Sequence, residues 1–369
     1  MTAPCADRPP SGAMSSRRLG PVVCVGAHIL DVLGRPVSTI PPGQSSLLLE
    51  EIRATAAGTA AGTSVDLAKL GVEVQNMGAI GDDSLGDLLV ALLEKHGVDT
   101  SLLLRKAGQR TSATILPIRP NGERPALHSP GADHLFTPAD LGGAHIGALG
   151  SAAVVHVGAP DTMSAFPPVE LAAHLAAVRA KGVVVTVDLL RAGALGAVDA
   201  LAPVLAQADW FLPNEQQLRA LTGRDDLAEA AKAARGLGAG AVAVTCGADG
   251  CVVYDDDLGE VTVPTLPVDV VDTTGCGDGF DAGFITALLL GGSPIEAAWL
   301  GVACGSLVAT GLGSDAGIKN LDETLAILAA LAPEAGGSQA AKALRRLSEA
   351  SASIDRTAEL EGAPRGDRS

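Results

Sequence analysis

The sequence predicts an α/β fold built on a doubly wound, mostly parallel sheet, and three observations lead to this prediction. From Ala152 onward, apolar runs of strand length alternate with helix-length stretches through short connections. The first run, residues 21–26, is continuously apolar, as expected for a strand buried on both faces. Polar residues follow several runs, and sheets of this kind bind ligands beyond the carboxyl ends of their strands.

The first third of the chain predicts the start of this sheet. Residues 1–19 are rich in Pro, Ser, Ala and Arg, so we expect them to be disordered. Residues 56–71 begin as a turn of small residues and continue as a helix that ends at a glycine. Residues 72–81 predict the next strand, and Gly-Asp-Asp-Ser-Leu-Gly at 81–86 starts a helix that closes near Gly97.

Two segments predict a small β lid outside the main sheet, from about residues 34–50 and 110–130. The first contains three prolines and Gly43, which favours a loop or an irregular β excursion. In the second, residues 110–120 alternate as a strand does, and Asn121-Gly122 is a strong hairpin-turn signal.

The second half of the chain supplies the regular alternation of strands and helices. The predicted strands are 154–158, 183–188, 211–213, 241–246 and a β-rich run at 261–271. The predicted helices are 168–182, 197–207, 215–222, 227–237, 293–308 and 321–331, with a glycine-rich loop at 309–317. We expect one domain over residues 20–333, followed at 334–369 by a tail with a loosely held helical segment and a disordered end.

The segment with the strongest candidates for catalytic and anion-binding residues is Asp-Thr-Thr-Gly-Cys-Gly-Asp-Gly-Phe-Asp-Ala-Gly-Phe, residues 272–284. Glycines between a strand and a helix let the backbone approach a ligand closely. The start of the helix offers unpaired N–H groups and the positive end of a dipole, which together make an anion site. Asp278 lies in the first helical turn. An anion site beside a carboxylate suits phosphoryl transfer to a hydroxyl group, with Asp278 accepting the proton.

Simpler interpretations of these residues stay open at this point. A carboxylate at a helix start is common, so Asp278 and Asp281 can each be charges that only favour the helix dipole. Cys276 is interpreted as a substitute for a small residue and not as a nucleophile. The chain has no Gly-x-x-x-x-Gly-Lys-Ser/Thr motif, and no Gly-x-Gly-x-x-Gly follows the first strand, so the phosphates need another binding loop.

Charge and composition limit the partners. The 369 residues carry a net charge of −16, and the isoelectric point is about 4.8, which argues against nucleic acid or an anionic membrane as the main partner. No apolar run is long enough to span a bilayer. The six cysteines include no Cys-x-x-Cys pair, so we expect reduced thiols and a cytoplasmic protein. The seven histidines lack metal-ligand spacing, so we expect them to be ordinary surface or packing residues.

These residues resemble the ribokinase-like (PfkB) family of carbohydrate kinases over about residues 21–331. The family signature Asp-Thr-x-Gly-Ala-Gly-Asp-x-Phe-x-x-Gly-Phe is met at residues 272–284, with Cys276 in place of the usual Ala. The resemblance implies a ribokinase-like fold, with ATP and Mg²⁺ as cofactors and the hydroxymethyl group of a small sugar as phosphate acceptor. It implies Asp278 as the general base and the backbone of Gly275, Cys276 and Gly277 as the anion hole.

The resemblance also assigns the other site residues. It implies substrate contacts at Asp31 and at a partly matching glycine motif, Gly58, Thr59 and Gly62. Nucleotide contacts are implied at Asn214, Thr245 and Gly247, and a monovalent-cation site, K⁺ in some members, at Asp272 and Thr274. A homodimer in which the lids pair is expected on the same basis.

The sequence departs from the family pattern at three places that concern substrate and phosphate binding. Gly62 stands where the family usually has a substrate-binding Asn. Gln217 ends an Asn-x-x-Glu-like motif that begins at Asn214, and a neutral amide attracts Mg²⁺ less than a carboxylate does. Residues 188–191, Asp-Leu-Leu-Arg, lack the Asn usual there, which leaves a phosphate role for Arg191 open.

The sequence restricts the class of substrate but does not identify the substrate. No Phe, Tyr or Trp precedes Phe136, so this part of the site offers no ring on which a purine could stack. A small sugar or sugar acid is therefore favoured over a nucleoside. The alternatives are a nucleoside kinase of the same family and a catalytically weak homologue that holds sugar or nucleotide.

Overall fold

The computed structural model describes residues 19–191, 198–335 and 337–362. The strands are β1 (Val22–Gly26), β2 (Ile29–Arg35), β3 (Glu51–Ala57), β4 (Val74–Gly81), β5 (Asp99–Lys106), β6 (Ala113–Pro117), β7 (Leu127–Ser129), β8 (Val154–Gly158), β9 (Val184–Asp188), β10 (Trp210–Phe211), β11 (Ala241–Thr245), β12 (Cys251–Asp255) and β13 (Gly259–Val263). The helices are α1 (Thr59–Lys69), α2 (Ser84–Lys95), α3 (Gly143–Ser151), α4 (Pro168–Arg179), α5 (Val198–Leu205), α6 (Glu215–Thr222), α7 (Leu227–Gly236), α8 (Cys276–Leu289), α9 (Pro294–Val308), α10 (Leu321–Ala335) and α11 (Gly337–Gly362).

Nine strands form one sheet in the order β13-β12-β11-β10-β9-β8-β1-β4-β5. Neighbours are parallel except in the pairs β11–β12 and β12–β13. The chain builds outward from β1 to β4 and β5 on one side, and to β8 and its successors on the other. A reversal of strand order opens a crevice at the carboxyl ends of the strands. The predicted α/β fold with a doubly wound, mostly parallel sheet is confirmed.

Helices cover both faces of this larger sheet. On one face, α1, α8 and α9 bury Phe284 and Trp299, and the ring of Trp210 packs edge-on against Phe284 at 4.9 Å between ring centroids. On the other face, the core contains Phe166 from the loop before α4, Leu175 of α4 and Leu218 of α6. Because both faces are covered, the central strands are mostly apolar, and the polar side chains within them, such as His156 of β8 and Thr186 of β9, are fully buried.

Four strands form the small sheet, in the order β3-β2-β6-β7. Strand β2 runs antiparallel to β3 and parallel to β6, and β6 and β7 form an antiparallel hairpin. The predicted turn at Asn121-Gly122 lies in the loop of that hairpin, with Gly122 at φ 82°. Segment 34–50 is loop after Arg35, and the strands of the small sheet flank it on both sides.

Several elements differ from the sequence expectations. Strand β13 ends at Val263, so the β-rich run 261–271 is not a strand along its length. Pro264 and Pro267 explain this, because proline has no N–H to donate to a strand ladder. Strands β5 and β12 had no predicted counterpart. Helix α5 matches the predicted helix 197–207 within the described residues.

The C-terminal region packs on the core. Helix α11 buries Ala340, Ala343 and Leu347, and Arg346 lies 3.3 Å from Glu296 of α9. The predicted disorder at residues 1–18 and 363–369 falls outside the described residues. Within the part of the chain that the structure describes, no helix combines the length and apolar character needed to cross a membrane.

Candidate active site

The start of α8 is a close-fitting turn. Gly275 precedes the helix with φ 79°, and a Cβ there would lie 2.4 Å from Cα of Ser314, so only glycine is accommodated. Gly275 has no side chain to cap the helix, which leaves N–H groups of the first turn open to a ligand. Gly277, in the same turn, is exposed. Burial raises the pKa of the Cys276 thiol to about 12, so the thiol stays protonated.

Asp272 ties this turn to the rest of the molecule. Its buried carboxylate accepts hydrogen bonds from N and Oγ1 of Thr274, at 3.1 and 2.9 Å, and from N of Gly313 at 3.0 Å. Next along the chain, Ser314 Oγ donates to the carbonyl of Ala56 in β3, at 2.8 Å. The turn is thereby joined to both the 309–317 loop and the small sheet. No local motif in the sequence marked Ser314.

Asp278 stands in the first turn of α8 and faces the crevice. Its pKa is raised to about 7, first by burial and second by the nearby charge of Asp31, while the positive charge of Arg124 opposes the shift. A Cβ on Gly62 of α1 would come within 2.3 Å of Oδ2 of Asp278. The glycine that replaces the family Asn therefore leaves the space that the Asp278 carboxylate occupies.

A pocket of about 320 Å³ lies between this turn and the small sheet. This is near the small end of ligand pockets, roughly 300–1,000 Å³. The predicted site residues that line it are Asp31, Gly58, Thr59, Thr274, Gly275 and Asp278. Gly62 lies behind Asp278 and does not line the pocket. Arg124, His128, Arg191 and Ser314 also line it, and of these only Arg191 was singled out in the sequence.

The small sheet contributes a row of polar side chains to the pocket. Asp31 of β2 is in register with Thr114 of β6, which is in register with His128 of β7. Thr114 Oγ1 lies 3.1 Å from Nδ1 of His128. Burial raises the pKa of Asp31 to about 6, although the hydrogen bond with Thr114 and the charge of Arg124 oppose the shift.

The start of α1 forms the floor beside Asp31. Gly58 has φ 85°, and a Cβ there would lie 2.6 Å from the carbonyl oxygen of Ala27. Oγ1 of Thr59 is buried and has no hydrogen-bond partner among the described residues. A buried hydroxyl without a partner is costly unless a ligand or water satisfies it. This hydroxyl lies beside Gly158, where a Cβ would come within 2.6 Å of Oγ1, so it does not face the pocket that Thr59 lines with its other atoms.

The predicted nucleotide residues lie apart from this pocket. Asn214 caps α6 and pairs as an isolated bridge with Thr245, at the carboxyl ends of β10 and β11. Gly247 follows with φ 56°, and a Cβ there would meet open space. Gln217 accepts a hydrogen bond from N of Asn214 at 2.7 Å and donates to the carbonyl of Leu189 at 2.6 Å. Its amide therefore anchors α6 to the end of β9.

Asp188 and Asp281 are buried acidic side chains near Asp278. Asp281, which was expected to be a charge near the start of the helix, is 1% exposed. Burial raises its pKa well above the usual value, as do the charges of Asp188 and Asp278. Oδ2 of Asp281 lies 3.8 Å from Nε2 of the buried His156. Among the described residues, no group of three or more His, Cys, Asp or Glu side chains is arranged to hold a metal.

The fold and this site together define a carbohydrate kinase. The sequence profile described as "pfkB family carbohydrate kinase" matches residues 21–321. The chain belongs to the PfkB family, as its signature predicted.

Relatives and solved structures agree with this membership. The chain is 30% identical over 290 residues to fructokinase-1 of Oryza sativa subsp. japonica, covering 73% of this chain and 87% of the relative. It is 32% identical over 276 residues to an ATP-dependent ribose-1-phosphate kinase of Halopiger xanaduensis, covering 74% and 86%. A PfkB protein from Polaromonas sp. JS666 superposes with a TM-score of 0.66 at 27% identity, over 84% of this chain and 99% of that one. The ribokinase of Arabidopsis thaliana, at 23% identity and a TM-score of 0.70 over 84% and 98%, supports the fold alone.

Proposed function

We propose that the protein transfers a phosphoryl group from ATP to the hydroxymethyl group of a small sugar or sugar-like substrate. Asp278 acts as the general base, and the 275–278 turn acts as the anion hole. The observation that carries the proposal is the position of Asp278: it lies in the first turn of α8, faces the pocket opposite Asp31, and has a pKa raised to about 7. A base with a pKa near the working pH is efficient in proton transfer.

The chain's own groups have distinct parts in this reaction. Asp31 orients the substrate hydroxyls, because a carboxylate can accept several hydrogen bonds, and Gly58 and Thr59 border the substrate beside it. Asp278 accepts the proton of the attacking hydroxyl. The N–H groups of Gly275, Cys276 and Gly277 stabilise negative charge on the transferred group. The substrate lies in a small, partly closed pocket, which limits transfer to water.

The cofactor assignment rests on what these residues can hold. Asn214, Thr245 and Gly247 would border the nucleotide at the carboxyl ends of β10 and β11. Mg²⁺ would be bound together with the phosphates of ATP, with Asn214 as a candidate contact. When bound, ATP with Mg²⁺ supplies the phosphoryl group and neutralises its charge. Asp272 and Thr274 remain the residues for a monovalent cation, and stimulation by KCl over NaCl would test that assignment.

Two copies of the chain are proposed to pair through the outer face of the small sheet. Ile52, Ile115 and Leu127 lie on this face and are 70%, 57% and 57% exposed. Exposed apolar side chains grouped on one sheet face are typical of a protein–protein contact.

The deciding experiment measures phosphorylation of a panel of sugars, sugar acids, sugar phosphates and nucleosides with ATP and Mg²⁺. We expect turnover of a sugar-type acceptor, and a loss of about 10²–10⁴-fold in kcat for Asp278→Asn with ATP binding retained. Asp269→Asn, at an exposed position three residues before Asp272, is the matched control. If Asp278→Asn keeps most of the rate, Asp278 is not the base.

The same panel separates the alternatives. Among the described residues, no Phe, Tyr or Trp lines the pocket, which disfavours a nucleoside as acceptor. Preferred turnover of nucleosides would overturn the sugar assignment. If ATP binds but no acceptor is phosphorylated, the chain is a binding homologue and not an active kinase.

A further inference from the structure

The pocket contains three basic side chains that the proposed transfer does not require: Arg124, His128 and Arg191. Within residues 19–191, 198–335 and 337–362, neither arginine side chain has an ion-pair partner. Guanidinium groups without a partner beside a binding pocket are well suited to carboxylate or phosphate.

The two arginines act on different ends of the pocket. The charge of Arg124 lowers the pKa of Asp278 and of Asp31, so Arg124 faces the end where the phosphoryl group is transferred. Arg191 instead contributes to a lowered pKa of His128, after the larger effect of burial. In the sheet order β3-β2-β6-β7, the α8 turn meets β3 through Ser314, whereas His128 lies on β7 at the opposite edge, so His128 and Arg191 mark the end of the pocket away from the base.

The backbone of Arg191 is fixed by a buried carboxylate. Oδ1 and Oδ2 of Asp161 accept hydrogen bonds from N of Leu190 and N of Arg191, at 3.0 and 2.8 Å. The carboxylate thus bonds the backbone and not the guanidinium of Arg191. Leu190 and Arg191 both line the pocket as a result. The exposed side chain of Arg191 makes no hydrogen bond or ion pair with a described residue and acts on Asp161 only through its charge, so its guanidinium can bind a ligand.

His128 is positioned from the opposite wall. Its Nδ1 lies 3.1 Å from Oγ1 of Thr114, which leaves Nε2 as the ring nitrogen that can meet a ligand. The side chain is half-buried, so an anion bound there would be partly shielded from water. One wall thus offers a guanidinium and the other an imidazole.

We propose that the acceptor is a sugar derivative with an anionic group, a carboxylate or a phosphate, which Arg191 and His128 bind at the end of the pocket away from Asp278. This inference rests on the proposed kinase function and names its class of substrate. The transferred phosphoryl group is assigned to the 275–278 turn, and His128 lies on β7, at the other edge of the small sheet from β3, which favours an anion of the acceptor over a phosphate of ATP.

The test compares neutral hexoses and pentoses with their aldonic acids and with their monophosphates, at saturating ATP. The wild type is expected to prefer one anionic class over the neutral parents by at least about tenfold in kcat/KM. Arg191→Gln should reduce that preference by about tenfold to a hundredfold, and Arg191→Lys by less, because it keeps the charge but loses the planar fork. The aldonic-acid and monophosphate arms decide which anion is bound.

Arg224→Gln removes one positive charge at an exposed position outside the pocket and serves as the control. If Arg191→Gln raises KM for ATP equally with every acceptor, the arginine belongs to the nucleotide and the proposal is wrong. It is also wrong if neutral sugars are preferred and Arg191→Gln leaves the preference unchanged.

Calorimetric binding of the same compounds without ATP separates this inference from the proposed catalysis. Binding of an anionic sugar that weakens in Arg191→Gln supports the anion site even if the protein fails to turn it over. Failure of every anionic compound to bind overturns the anion site, whatever Asp278 does. Loss of the Asp278 assignment alone leaves the acceptor preference intact.

Discussion

The two walls of the pocket are built in opposite ways. The α8 wall is fixed at short range: Gly275 lies against Ser314, Gly62 lies against Asp278, and Asp272 hydrogen-bonds both Thr274 and Gly313. The small-sheet wall is one sheet thick, with one face in the pocket and an apolar outer face in solvent. A Cβ at Gly62 or Gly275 would collide within the first wall, whereas exposed side chains of the second, such as Ile52 and Ile115, can change without disturbing a core.

This difference suits the α8 wall to catalysis and the small sheet to substrate recognition. Close backbone contacts leave the proposed base and the proposed anion hole little freedom, as phosphoryl transfer requires. Side chains that project from a sheet face select the substrate, because alternate residues of a strand face the pocket and can be exchanged singly. We therefore expect changes in the α8 wall to lower kcat and changes in the small sheet to alter preference, pH dependence or assembly.

The sharpest test of the rigid wall is Gly62→Ala. The new Cβ would lie 2.3 Å from Oδ2 and 2.7 Å from Cγ of Asp278, so the carboxylate must move. The collision is with the end of a side chain, so the fold should persist while the base is displaced. Because a displacement of about 1 Å can cost a hundredfold in rate, we expect kcat to fall by about tenfold to a hundredfold.

Steady-state kinetics and circular dichroism together check this result. Gly147→Ala in α3, where a Cβ would meet open space, is the matched control and should change neither rate nor fold. A Gly62→Ala protein with wild-type kcat would show that the α8 wall is not the constrained one.

Much of this wall could be predicted from sequence, and the reason is physical. A turn that needs glycine at a fixed position and a helix start that needs an acid leave a contiguous motif, residues 272–284. The contact between Gly275 and Ser314 could not be predicted, because it joins segments 39 residues apart only after α8 and α9 have packed together. The burial of Asp281 could likewise not be predicted, because it follows from the packing of α8 on the sheet.

The small sheet was predicted less well. Its turn at Asn121-Gly122 had a local signal, but the register that aligns Asp31 with Thr114 and His128 depends on distant strands. The same holds for Arg191, because the position of its backbone is set by a hydrogen bond to Asp161, 30 residues earlier in the chain. Side chains that choose the substrate are brought together by tertiary structure, so no sequence spacing marks them as a group.

A second prediction couples the two walls through pH. Asp278 has to be deprotonated to act as base, and its pKa is raised to about 7. We expect kcat/KM to rise about tenfold per pH unit below pH 7 and then level off, because this parameter follows the free enzyme. Arg124 lowers the pKa of Asp278, so Arg124→Gln should move the rise to higher pH.

Asp31→Asn should have the opposite effect, because the negative charge of Asp31 raises the pKa of Asp278. Arg224→Gln, at its exposed position outside the pocket, should leave the profile in place. The measurement is kcat/KM for the preferred acceptor from about pH 5 to 9. A rise that stays at the same pH in both Arg124→Gln and Asp31→Asn would mean that the small sheet does not act on the base.

The smallest effect on kcat is expected from a substitution on the outer face of the small sheet. Ile115, 57% exposed, lies in register with Leu127, so a lysine there places a charge in the centre of the apolar face. In a two-fold pair the two lysines would approach each other, and their repulsion should convert a dimer into a monomer. Ile115→Lys should change folding stability little, since an exposed side chain loses no core contact.

Light scattering over a range of protein concentrations measures this directly. Val169→Lys, at a residue of α4 that is 68% exposed and outside the small sheet, adds the same charge and should leave the dimer intact. A wild type that is monomeric at every concentration, or a dimer that survives Ile115→Lys, would remove the pairing. The kcat of a monomeric Ile115→Lys protein should stay within about threefold of wild type, because the α8 wall carries the reacting groups and the outer face does not touch them.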